Sequence, residues 1–175
     1  MEFIVGYDIQ QFEQFYLGLN DLHTFYRTRG QRESEINELG DDERGHIDSD
    51  PDHLIMWMDR NQIVGHAIWH ETSTDEMTAG DPRDEDDRKT LRELFGGKRE
   101  NLVELHEVWL KTEHRGRKHG NRFLAFFEDF ARKRGFDGIV YYSDNPAAVA
   151  LCRRRGYTEA FLETGGWYVF VRLLT

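Results

Sequence analysis

One cysteine, Cys152, stands in a chain of 175 residues, and a lone thiol excludes an internal disulfide. No apolar run approaches the roughly 20 residues that a membrane helix requires. The opening Met1-Glu2-Phe3-Ile4-Val5-Gly6 has neither the basic start nor the apolar length of a signal peptide. The expectation is a cytoplasmic protein with no membrane association. Positive charge is also scarce, since 23 Lys and Arg face 33 Asp and Glu and leave a net charge of -10. Such a surface repels nucleic acid and anionic lipid, and its natural complement is a cationic partner. Internal repeats and low-complexity segments are absent. The length suits one domain, residues 1–175, with a core of ordinary size.

Residues Phe3 to Val5 read as a short strand, and Asp8 with Gln11 as a capping box for a helix carrying Phe12, Phe15, Tyr16, Leu19, Leu22 and Tyr26 at helical spacing. An acidic loop follows at about residues 30–52. His53 to Met58 and Gln62 to His70 form two strand-like runs around the turn Asp59-Arg60-Asn61. Gly65 inside the second run predicts a bulge or a close backbone approach. His66 and His70 fall an even number of positions apart, but no third ligand sits at a recognisable spacing, so no metal is expected. A second acidic stretch, about residues 71–90, reads as a solvated excursion ending in a short helix with Leu91, Leu94 and Phe95, closed by Gly96-Gly97.

Leu102 to Leu110 is the next strand, and alternation places Leu102, Glu104, His106, Val108 and Leu110 on one face. A carboxylate and an imidazole among apolar neighbours require a reason. After this strand comes His114-Arg115-Gly116-Arg117-Lys118-His119-Gly120-Asn121, then a helix with Phe123, Leu124, Phe126, Phe127, Phe130 and Ala131 that runs to Gly135. A loop entering a helix there offers free backbone N–H groups and the positive end of the helix dipole to a phosphate. Gly138 to Tyr142 is an apolar strand, Asn145-Pro146 opens a further helix as N-cap and first residue, and Phe161 to Leu174 is a hairpin around Gly165-Gly166.

The stretch Arg115 to Gly120 resembles the acyl-CoA signature Q/R-x-x-G-x-G/A of the GNAT superfamily of N-acetyltransferases, with Lys118 where the middle glycine usually stands. Asn145-Pro146-Ala147-Ala148, Leu151, Gly156 and Tyr157 resemble the family's N-x-x-A-x-x-L-Y-x-x-x-G-F pattern, with Cys152 in the tyrosine position. The resemblance is strongest over residues 102–175. It implies an α/β (α+β) fold, a single mixed, mostly antiparallel twisted sheet of about six to seven strands flanked by about four helices.

It also implies a reaction, in which an acetyl group passes from acetyl-CoA to a primary amine by direct attack on the thioester. Acetyl-CoA would be held by Val108, Trp109 and Leu110 on the strand, by Arg115, Gly116, Arg117, Lys118, His119, Gly120 and Asn121 on the loop, and by Asn145. The candidate general base is Glu104, eleven positions before Arg115, where histone-acetylating members carry a catalytic glutamate; His106 stands second and Glu107 third. Cys152 is the candidate acid for the departing thiolate, with Tyr142 and Tyr157 as alternatives and unassisted departure as another. The acceptor is expected to be a small cationic amine, or the lysine or N-terminal amine of a peptide, and a homodimer is left open. The competing class is a non-catalytic CoA-binding or protein-interaction module. A phosphate or nucleic-acid binder using Arg115, Arg117, Lys118 and Arg122 is disfavoured by the overall charge.

Overall fold

The computed structural model describes residues 1–6, 53–78 and 80–174. The helix expected around Phe12 to Tyr26, its capping box and the acidic loop at about residues 30–52 lie outside them. The described elements are β1 (Glu2–Val5), β2 (Leu54–Asp59), β3 (Gln62–Thr72), β4 (Glu76–Thr78), β5 (Asp81–Pro82), α1 (Glu85–Phe95), β6 (Leu102–Leu110), α2 (His119–Arg134), β7 (Gly138–Ser143), α3 (Pro146–Arg154), β8 (Thr158–Leu162) and β9 (Trp167–Leu173). Seven strands form one sheet in the order β1-β2-β3-β6-β7-β9-β8, and β4 pairs with β5 separately. The β6–β7 pair is parallel, while β1–β2, β2–β3, β7–β9 and β8–β9 are antiparallel. This is the mixed, mostly antiparallel sheet that the sequence predicts.

The chain divides into two compact units, Met1–Ile68 with Glu107–His119, and Trp69–His106 with Gly120–Thr175. Strands β3 and β6 each contribute residues to both.

In the first unit, β2 and β3 are joined by Arg60 and Asn61, both left-handed with φ of 48° and 63°. That pair of conformations matches the twist of a two-residue hairpin, and asparagine tolerates it well. Apolar residues at nearly every position of β2 and mid-β3, including Leu54, Ile55, Met56, Trp57, Val64, Ala67 and Ile68, are buried. Gly65 satisfies both of its expected roles. The register slips between Trp57 and Met58, whose partners are Gly65 and Ile63, so Val64 is an extra residue. A Cβ on Gly65 would also lie 2.5 Å from the Trp109 carbonyl oxygen and 3.2 Å from Leu110 Cα.

In the second unit, α1 starts on the N-cap Asp84, whose side chain accepts from the Asp87 N–H, and stops at Gly96 with φ of 68°. Acidic Glu85, Asp86 and Asp87 in its first turn face the positive end of the dipole. Leu91 and Phe95 pack with Leu102, Val140, Leu162, Val169 and Val171 into one apolar cluster. Helix α2 buries Phe123, Leu124, Phe127 and Ala131, and Trp69 meets Phe130 edge to face with ring centroids 5.2 Å apart. Strand β8 ends the sheet; on it Glu159 receives Arg153 Nε and Nη2 at 2.8 to 3.0 Å, and Phe161 is half exposed.

The acidic stretch at 71–90 is more ordered than a solvated excursion. Ser73, Thr74 and Arg83 are buried. Ser73 Oγ accepts from the Asp75 and Glu76 N–H groups at 3.0 and 2.9 Å, and the Thr72 hydroxyl donates to the Glu76 carbonyl at 2.7 Å. Short hydroxyl side chains capture the backbone here and close the turn from β3 into β4, which polarity alone does not reveal.

Gly65→Ala is expected to cost about 1 to 3 kcal/mol, because the added methyl has a carbonyl oxygen in its place. Chemical denaturation of both proteins measures this, and an unchanged midpoint would contradict the close approach.

Candidate active site

The loop after β6 folds back on the strand it leaves. A short 3-10 turn spans Thr112–His114, the Lys111 N–H donates to the Val64 carbonyl at 2.8 Å, and Arg115 Nε donates to the Leu110 carbonyl at 2.7 Å. The Arg115 guanidinium also lies 5.8 Å from the centroid of the Trp109 ring. Arg115 therefore staples the loop to the strand end.

Two residues then turn left-handed, Gly116 with φ of 74° and Lys118 with φ of 64°. A Cβ on Gly116 would meet nothing within 4 Å, so this glycine supplies backbone freedom and not close approach. Lys118 adopts, as a lysine, the conformation for which the signature places a glycine, at a cost of roughly 1 to 2 kcal/mol. Helix α2 begins at His119, and its first turn contains no acidic residue. Its first N–H groups have no acceptor within the helix, and no carboxylate of that turn offsets the dipole. Arg117 and Lys118 are exposed. This chain's residues thus fit an anionic diphosphate such as that of CoA.

The remaining cofactor candidates carry local duties. A Cβ on Gly120 would stand 3.0 Å from Leu151 Cδ2, so its smallness serves helix packing. Asn121 Oδ1 accepts from Arg155 Nη1 at 3.0 Å. Asn145 caps α3, accepting from Ala147 and Ala148 N–H groups at 2.9 and 3.4 Å. On β6, Val108, Trp109 and Leu110 follow the registered pairs with β7, which run from Leu102↔Gly138 to Leu105↔Tyr141.

Glu104 is buried in the second unit, in a polar cluster that the sequence reading missed. Its organiser is Arg83, all five of whose N–H groups are used: Nε donates to the Ser73 carbonyl at 3.0 Å, Nη1 to Asp87 Oδ2 at 2.9 Å and the Tyr142 hydroxyl at 2.8 Å, Nη2 to Thr72 Oγ1 at 2.6 Å and Glu104 Oε2 at 2.8 Å. The Tyr142 hydroxyl donates in turn to Asp87 Oδ1 at 2.7 Å. His70 Nε2 lies 3.7 Å from Glu104 Oε2, and His106 Nδ1 lies 3.9 Å from Oε1. Alternation holds here, since Glu104 and His106 share a neighbour in His70, whose ring centroid is 5.4 Å from that of His106. Burial alone would raise the Glu104 pKa; His106, His70 and the Arg83 guanidinium outweigh it and hold the carboxyl far below its ordinary range.

The other candidates separate from this cluster. Glu107, in the first unit, is 2.7 Å from Nε2 of the buried His66. Tyr142 has its pKa raised by burial first and by Asp87 and Glu104, against Arg83. The Tyr157 hydroxyl donates to Glu128 Oε1 at 3.2 Å. Cys152 is fully buried, and burial pushes its thiol up to about 12, with Arg155 opposing and Glu159 and Glu128 adding. Burial raises the hydroxyls of Tyr142 and Tyr157 as well, so none of the three candidate acids is poised to release a proton near neutral pH. A sequence signal for Arg83 did exist, because it is the one basic residue between Glu71 and Asp87.

The profile of the Acetyltransferase (GNAT) family matches residues 16–157. The chain belongs to this family. Sequence similarity to a curated protein, the Probable N-acetyltransferase 14 of Xenopus tropicalis, is 40% identity over 67 residues, which is 37% of this chain and 31% of that protein's length. Among solved structures, the PaiA N-acetyltransferase of Thermoplasma acidophilum in complex with coenzyme A superposes with a TM-score of 0.62 at 14% identity over 99% of each chain. The Drosophila melanogaster polyamine N acetyltransferase, described as catalysing formation of N-acetylagmatine, gives 0.61 at 13% identity over 99% of this GNAT chain and 100% of its own. These two likenesses show the GNAT fold. Among the described residues, no helix is long and apolar enough to cross a membrane.

Two outcomes test the site. Lys118→Gly is expected to raise the unfolding free energy by up to about 1 kcal/mol, strain relief being partly offset by glycine's entropy, and Lys118→Val to lower it; equal melting points for both would contradict a left-handed residue. For Glu104 the folded pKa is depressed, so its stabilisation is present above the unfolded value near 4.3 and is lost as pH falls below it. Wild type should therefore lose more stability between about pH 5 and 3 than Glu104→Gln, in denaturation series at each pH. Parallel losses would remove the carboxylate from that role.

Proposed function

We propose that this chain, acting as one domain, is an acetyl-CoA-dependent N-acetyltransferase that acylates a primary amine by direct attack on the thioester. The observation that carries the reading is the left-handed pair Gly116 and Lys118 leading into a helix start without acidic residues, at the signature positions of a family whose profile spans most of the chain. In this reading the diphosphate of CoA takes the N–H groups of Arg117 to Asn121. The pantetheine arm follows the β6 backbone at Val108 to Leu110. A backbone N–H there polarises the thioester carbonyl and stabilises the tetrahedral oxyanion, a contact commonly worth about 3 to 4 kcal/mol.

An alkyl amine is mostly protonated at pH 7 and must lose a proton before it attacks. Glu104 makes a weak proton acceptor because its charge is held by Arg83 and the histidines. The reading therefore moves the base to His106, the exposed member of the cluster. Glu104 Oε1 faces its Nδ1, an arrangement that favours a proton there and leaves Nε2 to accept one. The neutral amine adds to the carbonyl carbon, the C–S bond breaks, and the electron pair leaves on sulfur. A thiolate departs without a dedicated acid, so neither Cys152 nor Tyr142 is assigned that step.

The net charge of -10 suits a cationic acceptor, either a small polyamine-like molecule or the lysine or N-terminal amine of a peptide; the reading assigns the protein to the cytoplasm.

Thermal unfolding with acetyl-CoA, followed by free-thiol release across an amine panel, tests this. At a hundredfold excess over Kd the ligand should add roughly 2.7 kcal/mol and move Tm by several degrees. His106→Gln should keep that shift and lose about 10²- to 10⁴-fold in turnover. Binding without thiol release on any amine would point to a non-catalytic CoA-binding module; no binding would end the acetyl-CoA reading.

A further inference from the structure

Resting on the reading of His106 as the base, we infer that Arg83 is a positioning residue of this reaction: by holding Oε2 of Glu104 it turns Oε1 toward His106 and sets the imidazole that takes the acceptor's proton. The division of the carboxylate is direct. Oε2 lies 2.8 Å from Arg83 Nη2, and Oε1 is the oxygen nearest His106 Nδ1, at 3.9 Å. Arg83 cannot swing away, because its other donors are spent on Ser73, Thr72, Asp87 and Tyr142. A planar guanidinium with fixed donor directions passes this rigidity to the carboxylate, which a lysine ammonium cannot do.

The charge of the cluster leads the same way. The groups around Glu104 and His106 are His70 and Thr72 from β3, Arg83 from the segment before α1, Asp87 from α1 and Tyr142 from β7. Tyr142 stays neutral, its pKa being raised by burial first and then by Asp87 and Glu104, against Arg83. One guanidinium therefore stands against two carboxylates, Glu104 and Asp87. A surplus negative charge in a half-buried site is relieved by a proton on a neighbouring imidazole, and His106 is the imidazole with access to solvent. Arg83 tempers that surplus, so that His106 both accepts a proton from an ammonium and gives it up again.

The test is the acidic limb of the pH profile of kcat/KM, where the base must be neutral to act. Removing the positive charge in Arg83→Gln leaves Glu104 unneutralised, favours protonated His106, and should move the limb up by roughly one pH unit. Asp87→Asn removes a negative charge from the opposite side of Arg83 and should move it down. Arg83→Lys keeps the charge without the fork, so its limb should stay near wild type while kcat falls about tenfold and acetyl-CoA affinity holds. Should Arg83→Gln fail to fold, the Asp87→Asn and Arg83→Lys pair carries the same decision. Limbs unmoved in the charge variants, or an Arg83→Lys enzyme with wild-type kcat, would overturn the inference. His106→Gln separates the two readings: if it retains the wild-type limb, the base assignment itself is wrong, and if it loses the limb while Arg83 and Asp87 variants leave theirs in place, only the role of Arg83 falls.

Discussion

A buried guanidinium is costly unless every donor finds a partner, and Arg83 finds five. That requirement reaches well beyond one side chain. It draws Thr72 and Ser73 at the end of β3, Asp87 on the first turn of α1, Glu104 in mid-β6 and Tyr142 on β7 toward one point. Breaking one member of such a network leaves an uncompensated buried charge, whereas an apolar replacement of the whole would cost far less. Stability alone therefore does not account for so many polar groups in the second unit. The same cluster changes the meaning of Glu104. A carboxylate that completes a guanidinium's shell makes a poor proton carrier itself.

Much of the fold was legible because it is written in local code. Alternation and apolar runs marked β6, β7 and the closing hairpin; Asn145-Pro146 and Gly96-Gly97 marked helix boundaries through backbone geometry that few other residues satisfy. Gly65 announced a constraint that the register slip and the contact with Trp109 make concrete. The turn chemistry at 72–83 was illegible for the opposite reason. Its order comes from hydroxyl groups of Thr72 and Ser73 bonding to backbone a few residues on, and serine and threonine read equally well as loop.

The site was legible where the signature is contiguous and obscure where it is assembled from distant segments. Arg115 to Gly120 could be aligned to a motif, yet what each residue does differs from the simple expectation: Arg115 binds its own strand, Gly120 makes room for Leu151, and Lys118 carries a glycine's conformation. Pairing of Arg83 with Glu104 joins residues 21 positions apart, and no periodicity connects them. Cys152 shows the limit of reading an acid from side-chain type alone, since burial raises its thiol, as it raises Tyr142 and Tyr157, and burial is not written in the residue type.

Strand β8 closes one margin of the sheet with only five residues, and one of them is a glutamate clasped by Arg153. A short margin that carries a paired charge is a poor template for another chain's backbone. Half-exposed Phe161 would otherwise make this margin adhesive. The Arg153–Glu159 clasp thus places a paired charge two residues from an exposed aromatic on the same margin, a combination that discourages strand-by-strand growth.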